Sequence, residues 1–594
     1  MTTEWLICLI SSWLLALLVL SERFFIARVS RMCMFRVFVW VFALFVFVGV
    51  AFAVCEATGE GTCYYIDPVH GDDANDGSIN SPWRTFANIN SFYVGGGVNH
   101  RPDMWRSLAP GDVVYLREGV HGYPLWGGTQ ESANDGYRAI ANIGFMSGTP
   151  EHPITLRGFP GENAVVGDIS EEPSSTRGLR LLANNWWNIH DIEFRNAPGN
   201  CIDLAGGSNY RIWNITVHGC ARKDDWTSGN PIGLHISAVS TIEVSHSEFF
   251  NNFRDGTAIE WPPNEGWSYR GRGIKIFRGS DVTVHSNLFY QTERALSPQG
   301  VPGPYAGCLM YKHASDSPTG YFRVFNNTFI DCDSLAFSTG SQNTHFFNNT
   351  IIRSTRPISV QNIGGPTFLY NITIEYNTLY DSRAFSGSAH EASDFASHSG
   401  VPQIGHYFPP LPHNIVFRNN IVVDSDIPYT QDNLFLRLDP YQDGAAFSRI
   451  ANAYTFSDNC YYNPHEPLRF AVAAQGFQLS FEDWQSLAYE GASLLWDVGS
   501  VVADPLFVDA FAGDFRLLDG SPCAGMGAFA SVSLDFPFGD VNRDGVVDVQ
   551  DLLVVVSLLG RAVGDLGFIS AADLNDDGVI DLFDLVLVAR SFGT

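Results

Sequence analysis

A mainly β solenoid, followed by a small helical segment, is the fold class this sequence predicts, and three observations carry it. Residues 233–249 (GLHISAVSTIEVSHSEF) align without a gap on residues 273–289 (GIKIFRGSDVTVHSNLF). Within each copy apolar and polar residues alternate, which is the period of a strand rather than of a helix. The last 55 residues differ from the rest, with two similar acidic stretches set 33 residues apart, each running into an apolar helical pattern.

The repeated unit extends beyond the first pair. Its frame can be laid on CIDLAGGSNYRIWNITV (201–217) and LAFSTGSQNTHFFNNTI (335–351), and, with a three-residue insertion, on MYKHASDSPTGYFRVFNNTF (310–329). Recurrence with loops of varying length between copies marks a repeat architecture. An Asn sits two residues before the closing apolar residue of successive copies: Asn287, Asn327, Asn349, Asn377, Asn420 and Asn459. Stacked rung on rung, such residues satisfy one another's amides, as burial of polar groups requires. The unit resembles a rung of a right-handed parallel β-helix of the pectate-lyase-like kind.

Taken in order, the chain opens with targeting sequence. Two apolar runs, Trp5–Leu20 and Val37–Ala53, flank a patch containing Arg23, Arg28, Arg31 and Arg36, and Ala51-Phe52-Ala53 reads as a small-x-small cleavage site. Residues 1–53 are therefore expected to be a signal peptide, the alternative being a membrane anchor, and the protein to be secreted, extracellular or at the cell surface. Of the eight cysteines beyond Ala53, Cys201 with Cys220 and Cys308 with Cys332 are separated by about one rung, so each pair suits a staple between neighbours. Cys55 with Cys63 would close a local loop, and free buried thiols are the alternative for all of them.

Residues 64–90 resemble the N-terminal cap of secreted β-helix proteins: a strand, an acidic Gly/Asn loop, then Ser81-Pro82 opening a short helix over the end of the coil. Stretches 111–121 and 153–168 resemble early rungs and 504–527 a closing segment. The β-helix domain is expected over 54–530, followed by a linker at 531–539.

Residues 540–594 hold ten Asp against three Arg. Asp540, Asn542, Asp544, Asp548 and Asp551 occupy positions 1, 3, 5, 9 and 12 of a calcium loop, with Gly545 at the turn and Val546 offering its carbonyl. The pattern recurs as Asp573, Asn575, Asp577, Val579, Asp581 and Asp584. Helices are expected over Leu552–Leu559 and Leu585–Phe592. With Asp rather than Glu at position 12, the duplicated unit resembles a type I dockerin. That resemblance implies two calcium ions and a cohesin-type partner, while Val549-Gln550 and Leu582-Phe583, at positions that help choose the partner, leave its identity open. Further calcium in the coil is unassigned.

The remaining question is what the coil does. A formal charge of −28 excludes a nucleic-acid partner, which needs basic surface, and a monomer is expected. The third position of the repeated frame gives Arg180, Asp203, His235, Lys275 and Lys312, then Phe337, flanked by apolar residues, so alternation aims a polar column outward on rungs about 4.8 Å apart. The chain has three lysines, Lys223, Lys275 and Lys312, and two fall in this column. Unlike Arg, Lys loses its proton when burial and neighbouring cations lower its pKa. The loops entering these strands are long, at 218–232, 250–272 and 290–307, and carry Lys223, Asp225, Asp255, Glu260, Trp261 and Trp267. Charges and flat rings beside a polar column suit a polysaccharide cleft. Lys275, Lys312 and His235 are the catalytic candidates, and Asp203, Arg180 and the loop residues the binding candidates. The chemistry expected is β-elimination on a uronate-containing glycan. The alternatives are a glycoside hydrolase using two of these carboxylates and a non-catalytic glycan-binding coil.

Overall fold

The computed structural model describes residues 55–528 apart from 92–102, 126–137, 173–175, 221–231, 253–270, 293–306, 313–319, 333–335, 341, 355–356, 361–368, 381–402, 406–412, 424–435, 440–452, 465–466, 469, 473–476, 490–491 and 511–512, together with 539, 541, 547, 549–562, 572, 574 and 579–592. The expected signal peptide lies outside the described residues. Among these residues no helix is long and apolar enough to cross a membrane.

The coil is a parallel β-helix with three sheets. The first sheet stacks the strands Arg272–Phe277, Gly307–Lys312 and Phe337–Gly340 with their predecessors and successors. The second stacks Ser240–Ser245, Ser280–His285, Phe322–Phe325 and Thr344–Phe347. The third stacks Glu248–Phe250, Leu288–Tyr290, Thr328–Ile330 and Thr350–Ile352. Each turn of the chain adds one strand to each sheet, so every strand pairs with its counterparts one rung before and one rung after. Two turns run through all three sheets as the extended segments Arg177–Arg195 and Ile202–His218.

Alternation places one apolar set inside. Leu234, Ile236, Ile274 and Ile276 of the first sheet are fully buried, as are Val244, Val284 and Val324 of the second and Phe249, Phe289 and Phe329 of the third. The three phenylalanines stack face to face with centroids 5.1 and 4.8 Å apart. Each buried side chain of this size contributes roughly 1.5–3 kcal/mol. Because the sheets face one another across a single interior, those contributions form one continuous column.

The asparagine column is a hydrogen-bonded ladder. The Nδ2 of Asn287 donates to Oδ1 of Asn327, and the relay continues through Asn349, Asn377 and Asn420 to Asn459 at 3.0–3.2 Å. Each amide oxygen also accepts the backbone N–H of the preceding Asn. The ladder begins on Ser247, whose N–H donates to Asn287 Oδ1. It ends on the buried Asp497, which accepts from Asn459, Tyr461, Trp484 and Ser500. The residue before each ladder Asn is left-handed, with φ of 54° at Asn326 and 52° at Asn348. The doubled Asn of NNT thus supplies first a turn residue tolerant of that conformation and then the ladder amide.

Disulfides join Cys201 to Cys220, Cys308 to Cys332 and Cys460 to Cys523, and Cys55 and Cys63 are disulfide-bonded as well. The first two join the expected partners. At the N-terminal end, Trp83, Phe86 and Ile89 are buried against the first rungs. The helix there is a single 3-10 turn, Phe86–Ile89, capped by Thr85, whose side chain accepts from Ala87 N–H. It does not open at Ser81-Pro82, because those residues close the acidic loop: Ser81 N–H donates to Ser78 O and Pro82 O accepts from Asp72 N–H. In the C-terminal segment the helices span Val549–Leu558 and Leu582–Arg590. Both begin three residues earlier than the apolar pattern suggested. Asp581 caps the second, with Asp584 closing a capping box, so the cap rather than the first apolar residue sets the start.

Candidate functional site

The outward face of the first sheet brings Arg180, Asp203, His235 and Lys275 onto consecutive rungs. Their register is direct: Arg180 pairs with Asp203, Asp203 with His235 and His235 with Lys275. Their immediate neighbours Leu179, Leu181, Ile202, Leu204, Leu234 and Ile236 point into the core and are at most 1% exposed. The apolar positions thereby force the polar ones outward.

Lys312 does not continue this column. Lys275 pairs with Met310, and Lys312 pairs with Phe277, two residues further along. The backbones of Lys275 and Lys312 are therefore roughly 8 Å apart, one rung and two residues. The side chain of Lys312 lies outside the described residues. Met310, an apolar residue on an outward position and only 5% exposed, is what misled the frame. Phe337 is likewise displaced by one: it pairs with Leu309, points inward and is fully buried, and Ser338 takes the outward position. Lys223, Asp225, Asp255, Glu260, Trp261 and Trp267 lie outside the described residues.

Asp203 is the hub of the column. Arg177 Nε lies 3.0 Å and Arg180 Nε 3.6 Å from its Oδ2, and His235 Nδ1 lies 2.8 Å from its Oδ1. The Asp203 side chain is 8% exposed, that of His235 22%. Burial alone would raise the Asp203 carboxyl. The Arg177 charge, the hydrogen bond and charge of His235, and the Arg180 charge outweigh it and hold the group well below the usual carboxylate range. Asp203 is thus an ionised, buried, fully engaged carboxylate rather than one held open for a sugar.

Arg177 was not singled out from the sequence, yet it makes the closest cationic contact to Asp203. A signal was available. Arg177-Gly178-Leu179-Arg180 and Arg272-Gly273-Ile274-Lys275 share the pattern Arg-Gly-apolar-basic, and both leading arginines are buried. Starting the frame at the glycine left them out.

The site is flanked by two staples. Cys201–Cys220 ties the strand carrying Asp203 to the residue from which the segment 221–231 departs, and Cys308 lies next to the strand residues that follow 293–306. A separate cavity of about 90 Å3 lies at the first rungs, lined by Phe86, His121, Tyr123 and Pro124, and is no part of this column.

In the C-terminal segment, Asp551 and Asp584 hold equivalent places. Both carboxylates are fully buried. Asp551 Oδ1 accepts from Val541 N–H and Asp584 Oδ1 from Leu574 N–H, each at 2.7 Å, so each loop's twelfth residue grips its second. Two buried carboxylates, each closing a stretch of sequence rich in oxygen side chains, are a chemical fit for a hard divalent cation. Val579 is bridged to Ala562 and Asp581 caps its helix. Asp540, Asn542, Asp544, Val546, Asp548, Asp573, Asn575 and Asp577 lie outside the described residues.

Family models match both parts of the chain, and several known proteins are similar to stretches of it. A stretch of 129 residues is 32% identical to a lacto-N-biosidase of Bifidobacterium longum subsp. longum, covering 22% of this chain and 6% of that protein. The pectate lyase Pel9A structure matches with a TM-score of 0.38 at 16% identity, over 80% of this chain and 95% of that one. The GH136 lacto-N-biosidase from Eubacterium ramulus matches with a TM-score of 0.32 at 14% identity, over 69% and 68%. Residues 177–301 match the family model for a right handed beta helix region and residues 538–593 that for the dockerin type I domain, so the chain joins a right-handed parallel β-helix to a type I dockerin.

Proposed function

We propose that this protein is a secreted polysaccharide lyase that cleaves a uronate-containing glycan by β-elimination. The observation that carries the reading is the column itself: Arg177, Arg180 and His235 meet at the Asp203 carboxylate, and Lys275 pairs with His235 on the next rung, on a chain whose formal charge is −28. A local cationic site on an acidic protein selects an anionic ligand. β-Elimination from a uronate needs a cation at the sugar carboxylate and a base for the proton beside it, and His235 and Lys275 are the neighbouring pair that supplies both. Lys223, Asp225, Asp255, Glu260, Trp261 and Trp267 are proposed to line the subsites from the long loops.

A second reading, a glycoside hydrolase, is favoured by the local identity to a lacto-N-biosidase. Hydrolysis asks for two carboxylates flanking the scissile bond, whereas Asp203 is consumed by two arginines and a histidine. The dockerin is proposed to bind two calcium ions and, with them, a cohesin-type domain. Val549 and Leu553 on one helix and Leu582 and Val586 on the other are exposed at equivalent positions and offer an apolar face for that partner. A further calcium ion in the coil is not invoked.

The test is a screen of the full chain on polyuronates. Ultraviolet absorbance from an unsaturated product supports the lyase. New reducing ends without absorbance indicate hydrolysis, and neither signal indicates a binding module.

A further inference from the structure

The His235–Asp203 contact fixes more than proximity. Asp203 is ionised and therefore an acceptor with no proton to give. The hydrogen bond at 2.8 Å must then run from His235 Nδ1–H to Asp203 Oδ1. In the neutral ring this leaves Nε2 as a lone-pair acceptor. Nδ1 is held toward the preceding rung, so the free nitrogen is the distal one, on a side chain that remains 22% exposed.

Other histidine–carboxylate pairs are built differently: His70 turns Nδ1 toward Asp67 only at 3.4 Å, on a side chain that is 80% exposed. His218, His285 and His345 spend Nε2 on Glu193, Glu243 and Glu375. Their carboxylates meet the ring tip, which leaves no outward acceptor. His190 offers Nδ1 to Asp191, but its ring is stacked 4.0 Å from Trp213 and is 8% exposed. These pairs read as surface staples. His235 differs in having its inner nitrogen anchored, its outer nitrogen free and its anchor clamped by two guanidiniums.

We infer that Asp203, held by Arg177 and Arg180, is a positioning residue that orients His235 as the proton acceptor of the reaction, with Lys275 on the next rung receiving the substrate carboxylate. This rests on the uronate-lyase reading and assigns roles within it. Nε2 takes the proton from C5 of the uronate. The electrons of that C–H bond form the C4–C5 double bond, the C4–O bond breaks with its pair on oxygen, and the departing oxygen takes a proton from water. The imidazolium returns its proton to solvent. Arg177 and Arg180 do not touch the substrate in this scheme; they keep Asp203 charged and Asp203 keeps the ring turned. Lysine as the base, the expectation from residue type alone, is replaced by lysine as the carboxylate holder.

Among the described residues, the charged and titratable groups facing His235 are Asp203, with Arg177 and Arg180 behind it, on the preceding rungs and Lys275 on the following one. Replacing Asp203 by Asn removes the anion that faces the ring and leaves the three cations, which disfavours the imidazolium. The experiment uses the full chain and two readouts. Carbethoxylation of His235 by diethyl pyrocarbonate, followed by peptide mass spectrometry across pH, reports its titration without any substrate. Turnover on polygalacturonate and alginate reports the chemistry. Expected are a carbethoxylation midpoint at lower pH in Asp203→Asn than in the parent and a kcat loss of roughly 10²-fold or more in His235→Gln. Lys275→Arg should raise KM while costing less than about tenfold in kcat, as a charge-holding role allows. An unchanged midpoint in Asp203→Asn overturns the positioning role. A larger kcat loss in Lys275→Arg than in His235→Gln overturns the assignment of the base. Should Asp203→Asn fail to fold, Arg177→Gln serves in the carbethoxylation arm; loss of a cation moves the midpoint the opposite way, to higher pH, read against an Arg195→Gln control. Absence of turnover on every polyuronate by the parent defeats the lyase reading, and the midpoint shift then still decides whether Asp203 orients His235.

Discussion

Replacing Asn349 by Leu strikes the ladder at its centre. Asn349 Oδ1 accepts from the N–H of Asn327 and from its Nδ2, both at 3.0 Å. Asn349 Nδ2 donates to Val324 O, Phe347 O and Asn377 Oδ1. Several of the neighbours keep an alternative: Asn327 Nδ2 retains Val284 O and Phe325 O, and Asn377 Oδ1 retains the Asn349 N–H. The Asn327 N–H loses its acceptor in a fully apolar interior. One stranded buried donor costs about 1–3 kcal/mol, and the near-equal size of Leu adds no large cavity term. The net expectation is a loss on the order of 1–3 kcal/mol, or a urea midpoint lower by a few tenths of a molar for a chain this long. Asn349→Ser should cost less. Ser247 already serves at this place, its hydroxyl accepting from Ile215 N–H and donating to Ser245 O. Urea unfolding followed by circular dichroism, with amide exchange of the neighbouring rungs to localise the effect in a repeat fold that need not unfold in one step, measures both. A parent-like midpoint and unchanged exchange in Asn349→Leu would refute the claim that the ladder contributes to stability.

Two further outcomes are expected. Chelator added to the isolated segment 531–594 should abolish most of its helicity, reversibly with calcium, because ten Asp crowd 55 residues and metal binding there is coupled to folding; helicity that survives chelation contradicts this. Acid should destabilise the coil through His121, whose imidazole is pulled down to about 4 by burial, against its hydrogen bond to the Arg117 carbonyl and the Asp67 charge. The folded value lies below the unfolded one of about 6.5, so this stabilisation is full above that pH and is lost as pH falls toward 4. Between pH 7 and pH 5 the parent should lose about 2 kcal/mol relative to His121→Gln, and parallel pH profiles of the two urea midpoints would contradict it. Asp203 acts in a lower window, its depressed folded pKa withdrawing stability only below the usual carboxylate range.

The parts of the fold that repeat were readable in the chain. The gapless match of 201–217, 233–249 and 273–289 corresponds residue for residue to the strand register, with Ile202 beside Leu234 and Leu234 beside Ile274. The ladder was readable because its Asn recurs two residues before the closing apolar residue of each rung, twice within the same NNT. The frame failed where a rung breaks alternation. Met310 is apolar at an outward place, so Lys312 was drawn into the polar slot two residues early, and a shorter corner after Phe337 turned an inward ring outward. Arg177 was missed for a different reason: a frame that starts at the glycine leaves the leading arginine of the strand outside it, and its value appears only when the next rung sets Asp203 against it. The helix starts were displaced because Thr85 and Asp581, polar residues outside any apolar stripe, govern where the backbone turns.

The measurement that bears most directly on the account is the mass of the oligosaccharides released from a polyuronate by the full chain, read together with their ultraviolet absorbance. β-Elimination at the His235–Lys275 column predicts products one water lighter than hydrolysis would give, with absorbance that rises in step with them and vanishes in His235→Gln. Products of hydrolytic mass without absorbance would contradict it.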